Sequence, residues 1–335
     1  MLPIHQISLP TPWPSVGPIH VYLIRQEPVT LIDAGLHTPE SREALTEGLR
    51  ALGLSVREIR RVLITHAHLD HLGQAAWVAA ESGAEIFLHP DEAGKAETPD
   101  WWLEGRDRVL AEAGVPAETR ELMDRYWQRG RRMALPLAGW SPLADGQRFE
   151  FDGGALTAVH LPGHALGHTG FYEERSRTLI GGDHLLDKVT PNPIMEPVRP
   201  GHPAAVPHDP IRALTLGQFL SALERVAAME VAQVLPGHGP VITDHRAVVE
   251  AYTARHERRL ESLLLRLAGG GVAWELTREL YPRVREFDLF LALSEVLAHL
   301  DLLVVRGRAR LMMDQGVYRY LPAAESMDGS PLAGA

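Results

Sequence analysis

The stretch RRVLITHAHLDHLGQ, residues 60–74, restricts what this chain can become more than any other. Val62, Leu63 and Ile64 read as a short buried strand, and three histidines and an aspartate then crowd the six positions from His66 to His71. A strand that ends at Thr65 and turns sharply aims His66, His68, Asp70 and His71 at one point. Loops at strand ends are where α/β folds hold their chemistry. Neutral imidazoles and carboxylates suit zinc, and also manganese or iron. The chain has no cysteine, so a metal here rests on nitrogen and oxygen ligands alone. A solvated turn that merely happens to be rich in histidine would need no counterpart downstream.

Three counterparts follow. LPGHALGH (161–168), LIGGDH (179–184) and VLPGHG (234–239) are each an apolar strand ending in glycine, with His or Asp at the turn. In order and spacing the four segments resemble the metallo-β-lactamase superfamily. Its THxHxDH signature stands here as THAHLDH, and its later histidine, aspartate and histidine match His164, Asp183 and His238. The resemblance implies an α/β chain with the four-layer αββα fold of that family. It also implies two divalent ions, with Zn2+ first and Mn2+ or Fe2+ as alternatives. His66, His68 and His164 would take one ion, Asp70, His71 and His238 the other, and Asp183 would bridge them. Asp33, in LIDAG, would support the metal loop from behind, against a plain turn-forming role. His168 is a candidate for orienting that loop or touching substrate and also reads as a hydrogen-bonded structural histidine, and His184, next to Asp183, is a candidate to reach the substrate from behind the ligands.

The same resemblance narrows the chemistry. Zinc β-lactamases of the family generally lack the bridging aspartate, and several use a cysteine; Asp183 is present here and cysteine is not. Redox-active di-iron members carry glutamate where this chain has His68. The expectation is therefore a dinuclear hydrolase acting on a small-molecule thioester, ester or lactone. Two metals lower the pKa of water enough to hold a bridging hydroxide near neutrality, and the resemblance implies Asp70 and Asp183 as the catalytic carboxylates. An endoribonuclease or phosphodiesterase of the same fold, and a mononuclear-iron sulfur dioxygenase, are the alternatives.

Along the chain, IHVYLI (19–24) and PVTLIDAG (28–35) read as paired strands and SREALTEGLRALG (41–53) as a helix capped by Thr38 or Ser41. Residues 91–145 read as a helical insertion whose Trp101, Trp102, Tyr126 and Trp127 either roof the site or pack the insertion itself. A helix is expected to start at Asp209-Pro210, and a long one near Thr243. The catalytic unit is expected over 1–252. LFLALSEVLAHLDLLVVRGRARLMMDQGVYRYLP resembles the winged-helix-like unit attached to some members, giving a second domain over 253–321 and a disordered tail over 322–335.

Composition bears mainly on partners. The net charge of −10 argues against nucleic acid, and residues 253–320 hold 11 Arg against 9 acidic residues, too even a balance to read phosphates. No apolar run reaches the 18 residues a membrane helix needs, and the first residues lack the pattern of a secretory leader, so no membrane partner and a cytoplasmic site are expected. Apolar C-terminal helices are compatible with a homodimer.

Overall fold

The computed structural model describes residues 2–14, 16–284 and 288–323. A six-stranded sheet holds the N-terminal half, in the order β1 (Ile4–Leu9), β2 (Ile19–Ile24), β3 (Thr30–Ile32), β4 (Arg61–Leu63), β5 (Glu85–Leu88) and β6 (Ser141–Pro142). The first three strands run antiparallel and β3 to β6 parallel. Between them lie α1 (Pro39–Ala51), α2 (Leu69–Leu72), α3 (Ala75–Ser82), α4 (Ala93–Glu97), α5 (Asp100–Glu112) and α6 (Ala117–Arg131). Thr38 caps α1 by accepting the Ser41 N–H at 3.2 Å.

A second sheet is built from β7 (Arg148–Phe151), β8 (Gly154–His160), β9 (Thr169–Glu173), β10 (Thr178–Gly182) and, beyond the short hairpin β11 (Ala205–Val206) and β12 (Asp209–Ala213), β13 (Gln233–Pro236). Its outer face carries α7 (Thr215–Ala228) and α8 (His245–Arg266). The chain closes with β14 (Gly271–Val272), α9 (Ala273–Leu280), α10 (Leu289–Val305), β15 (Ala309–Asp314) and β16 (Val317–Pro322); β14 and β15 both pair with β16.

Side-chain alternation explains the layering. On β2, Tyr22 and Ile24 face the second sheet and meet Phe149, Leu156, Phe171 and Ile180. Val21 and Leu23 point the other way, onto Leu45 and Leu49 of α1. On the far side, Val159, Leu161, Leu179 and Val234 of the second sheet pack with Phe219 of α7, Leu260 of α8, Val296 of α10 and Val109 of α5. Each fully buried Leu, Val or Phe contributes roughly 1.5–3 kcal/mol of transfer free energy. Helices thus cover both outer faces of two stacked sheets, the expected four-layer αββα arrangement.

Several expectations change. The strand IHQISL (4–9) is an edge strand that the sequence reading passed over, because polar His5, Gln6 and Ser8 interrupt its apolar residues. Asp209-Pro210 opens strand β12 and the helix starts at Thr215; buried Asp209 instead faces Arg212 at 3.7 Å. The expected boundary at 252/253 falls inside α8, and the C-terminal helices share one apolar core with the second sheet. The insertion is helical as expected, but its last residues form β6. Pro322 still belongs to β16, and the rest of the tail from 324 lies outside the described residues.

Candidate metal centre

Four turns at one end of the two sheets converge. After β4, Thr65 and His66 lead into α2, for which His68 is the N-cap residue and which carries Asp70 and His71. His164 follows β8, Asp183 follows β10 and His238 follows β13. The structure brings all seven of these side chains together. Ligand atoms fall within 4.8 Å of one another in three overlapping groups: His66, His68 and His164; His66, His71 and Asp183; and Asp70, His71 and His238.

Hydrogen bonds on the far side of four of the five rings, those of His66, His71, His164 and His238, fix which nitrogen faces inward. His71 Nδ1 donates to Asp33 Oδ2 at 2.7 Å, His164 Nδ1 to the Asn192 carbonyl at 2.9 Å and His238 Nδ1 to the Pro18 carbonyl at 2.9 Å. The Thr65 hydroxyl donates to Asp33 at 2.8 Å and so accepts from His66 Nδ1 at 3.1 Å. Each Nε2 lone pair is thereby turned into the centre. There His66 Nε2 and His164 Nε2 stand 2.8 and 3.1 Å from His68 Nδ1, and His238 Nε2 stands 3.1 Å from Asp70 Oδ2.

Buried atoms without a hydrogen-bond partner mark where a cation fits. His71 Nε2 and Asp183 Oδ1 have none among the described residues, and they lie 3.5 Å apart. Asp183 Oδ2 sits 3.8 Å from both His164 and His238, so one carboxylate touches both halves of the group. Electrostatics agree at His66 and His68, whereas at His71 and His238 burial lowers the imidazole pKa but the neighbouring carboxylates outweigh it and raise it. Burial, reinforced by the neighbouring imidazoles, holds His66 and His68 well below the ordinary imidazole range, which leaves them neutral and able to ligate. For Asp183, burial raises the carboxyl pKa, but His71, His238 and His164 outweigh it and keep the group ionised.

Asp33 lies behind this centre. Its carboxylate accepts the Thr65 N–H and the Thr65 hydroxyl, both at 2.8 Å, as well as His71 Nδ1. It does so at φ 59, a left-handed conformation that non-glycine residues seldom adopt. His168, fully buried, accepts the Asp183 N–H on Nε2 at 3.1 Å and so holds the Asp183 turn. His184 is not brought into the group; it is fully buried, with its ring edge-on to Phe219 at 5.3 Å.

Two glycines are required by close approach. A Cβ on Gly182 (φ +49) would stand 2.8 Å from His168 Nε2 and 2.9 Å from Thr65. On Gly237 it would stand 2.4 Å from Asp183 Oδ1 and 2.9 Å from His71 Cε1. Gly237→Ala is therefore expected to displace the Asp183 carboxylate and weaken metal binding by about 10- to 100-fold while the protein stays folded. Competition against a chromophoric chelator measures this, and an unchanged affinity would show that the carboxylate has room to move.

With this geometry in hand, comparison with known proteins is decisive. Residues 14–238 match the Metallo-beta-lactamase superfamily. The chain is 30% identical over 300 residues to the "Probable metallo-hydrolase YqjP" of Bacillus subtilis, covering 89% of this chain and 91% of that protein. This chain belongs to the metallo-β-lactamase superfamily. It is a metal-dependent hydrolase of that superfamily. A metallo-beta-lactamase family protein from Thermus thermophilus superimposes with a TM-score of 0.80 at 32% identity, over 95% of this chain and 98% of that one. The atrochrysone carboxyl ACP thioesterase of Paecilomyces divaricatus is 31% identical over 154 residues, 46% of this chain and 42% of that protein.

The insertion flanks the superfamily centre. Leu135 N donates to the Gly73 carbonyl at 2.8 Å, and His37 N donates to the Met133 carbonyl at 2.7 Å, so the end of the insertion lies against α2. Its tryptophans act as packing anchors. Trp102 is buried and stacks on Trp127 at 5.8 Å, the Arg106 guanidinium covers Trp127 at 4.9 Å, and Arg199 covers Trp101 at 4.7 Å.

A fourth cluster, His89, Asp91 and His160, lies apart from the centre. The His89 and His160 rings stack with centroids 4.2 Å apart and planes 8° apart. A cation in the plane of one ring would lie well out of the plane of the other, so this pair packs as a stack and does not ligate as placed. The sequence reading assigned no role to Thr65, Asn192 or the Pro18 carbonyl, which orient the imidazoles. Thr65 stands inside the signature and was legible; the two carbonyls leave no trace in side-chain identity.

Proposed function

We propose that the protein hydrolyses a small acyl compound, a thioester, ester or lactone, using two divalent metal ions, zinc first. The observation that carries this reading is the Asp183 carboxylate, placed within 3.5–3.8 Å of His71, His164 and His238 and so shared between two ligand groups. His66, His68 and His164 would hold one ion, and Asp70, His71 and His238 the other. Ions bound there supply a nucleophile at neutral pH and stabilise charge developing on the acyl oxygen. In this reading Asp70, 3.1 Å from His238, would orient the attacking water and accept its proton. The end of the insertion, hydrogen-bonded beside α2, would border the substrate in this reading. The likeness to a fungal ACP thioesterase supports an acyl substrate.

One further observation weighs against the nucleic-acid reading. In the order helix, strand, helix, helix and hairpin that closes the chain, α10 would be the element to enter a groove. It is apolar around most of its circumference, and from Ser294 to Leu303 only Glu295 is not buried.

Elemental mass spectrometry on protein purified without added metal tests the two-ion reading. About two zinc or manganese ions per chain are expected, with cleavage of a thioester or lactone in a substrate panel that is lost on chelation and restored by zinc. One iron per chain, or turnover of phosphodiesters alone, would sink it.

A further inference from the structure

Behind the centre lies a second buried ionic group that neither the ligand set nor the family match accounts for. Glu92 is fully buried, Glu196 is 2% exposed, and the Lys95 ammonium stands between them, 2.9 Å from Glu92 Oε1 and 2.6 Å from Glu196 Oε1. The chain has only two lysines, and the other, Lys188, is exposed. Here a compact ammonium fits between two carboxylates where a planar guanidinium would demand a wider, bidentate gap.

The carboxylates do more than neutralise Lys95. Glu92 Oε2 accepts the Ala67 N–H at 2.6 Å, and Glu92 Oε1 accepts the Gly167 N–H at 2.8 Å. Ala67 is the residue between His66 and His68, and Gly167 lies between His164 and His168. Glu196 Oε1 accepts the Leu166 N–H at 3.3 Å, and the segment before Glu196 supplies the Asn192 carbonyl that orients His164. One buried group therefore joins the three segments on which the positions of His66, His68 and His164 depend. A Cβ on Gly167 would meet Glu92 Cγ at 2.7 Å, so the loop lies directly against the carboxylate stem.

We propose that Glu92 is a positioning residue for the first metal site: by holding the Ala67 and Gly167 peptides on one carboxylate, it sets the distance between the His66–His68 turn and His164. Lys95 and Glu196 complete the group by keeping the Glu92 charge compensated and by tying in the Asn192 segment. The inference rests on the two-metal reading, since it concerns the geometry of one of the two ligand groups. Three donors share the two Glu92 oxygens, the Ala67 N–H on Oε2 and the Gly167 N–H and Lys95 on Oε1, and an amide would replace the carboxylate only in part, because a carboxamide offers one acceptor oxygen and turns its N–H groups toward a peptide N–H.

The test is stepwise zinc affinity of the full-length protein, measured by chelator competition, with far-UV circular dichroism and Tm alongside. Glu92→Gln is expected to weaken one zinc equivalent by about 10- to 100-fold, the size usual for a residue that orients metal ligands, and to leave the other within about threefold. The weakened equivalent is expected to be the one that His164→Ala abolishes. Glu92→Asp, which keeps the charge but is too short to span both peptides, is expected to do the same and serves if the glutamine variant does not fold. A fall in Tm with both affinities unchanged, or an equal fall in both, would overturn the proposal. If the unsubstituted protein binds a single ion, the two-metal reading fails, whereas an effect of Glu92→Gln on that ion would still uphold the clamp.

Discussion

Asp183→Ala is expected to lower hydrolytic activity by at least about 100-fold and to leave the protein folded with one metal equivalent fewer. The magnitude follows from position. Residues that only orient a ligand already cost 10- to 100-fold when removed, and Asp183 lies among the ligand atoms themselves. Among the described residues it is the one carboxylate within 4 Å of His71, His164 and His238 together, so no neighbouring carboxylate replaces it. The fold should survive because Asp183 stands in the turn after β10, outside both sheets, and the imidazoles it faces can go neutral once the carboxylate is gone. Metal content by mass spectrometry, Tm and turnover of the best thioester or lactone together decide the case. Full activity with two ions would remove Asp183 from the centre.

Asp33→Ala is expected to act on stability and on metal binding at once. The substitution leaves three donors without their acceptor: the Thr65 N–H, the Thr65 hydroxyl and His71 Nδ1. Each orphaned buried donor costs about 1–3 kcal/mol, and because the three share one site the sum falls short of additive; a total of about 3–5 kcal/mol is expected. That corresponds to a fall in Tm of roughly 10 °C. Metal affinity should drop by about 10- to 100-fold, since His71 loses the partner that fixes its tautomer. Thermal denaturation of the metal-free protein isolates the first effect, and chelator competition the second. An unchanged Tm would mean that Asp33 is a turn residue with no structural duty toward the metal loop.

The candidate centre was legible because its residues are rare types at fixed spacing. THAHLDH places four ligand-type side chains within a single turn after a strand, and three later Gly-flanked His or Asp positions needed only to be read in order. Asp33 was legible for the same reason, standing at the end of LIDAG. The environment of these residues was less accessible. His184 follows Asp183 directly and stood as a candidate to reach the substrate, yet the turn after β10 sends one side chain into the centre and the other back against Phe219. Glu92 and Glu196 stand in HPDE and IMEPV with no motif to mark them; only the fold places them around one lysine, 104 residues apart in sequence. The helix expected at Asp209-Pro210 failed because proline suits a helix N-terminus and an edge strand alike, and the β11–β12 pairing decided between them.

What the sequence alone determined is the set of local constraints: the period-two alternation that makes buried strands, the glycines that let turns close on one another, and the identity of the ligand atoms. These depend on residues close in the chain and on covalent geometry. Only the tertiary structure decided which imidazole nitrogen faces the centre, which buried acids hold the loops, and that the C-terminal helices share a core with the second sheet. Those outcomes depend on backbone carbonyls, tautomers and packing partners tens to hundreds of residues away, and none of these is encoded in the type of any single side chain.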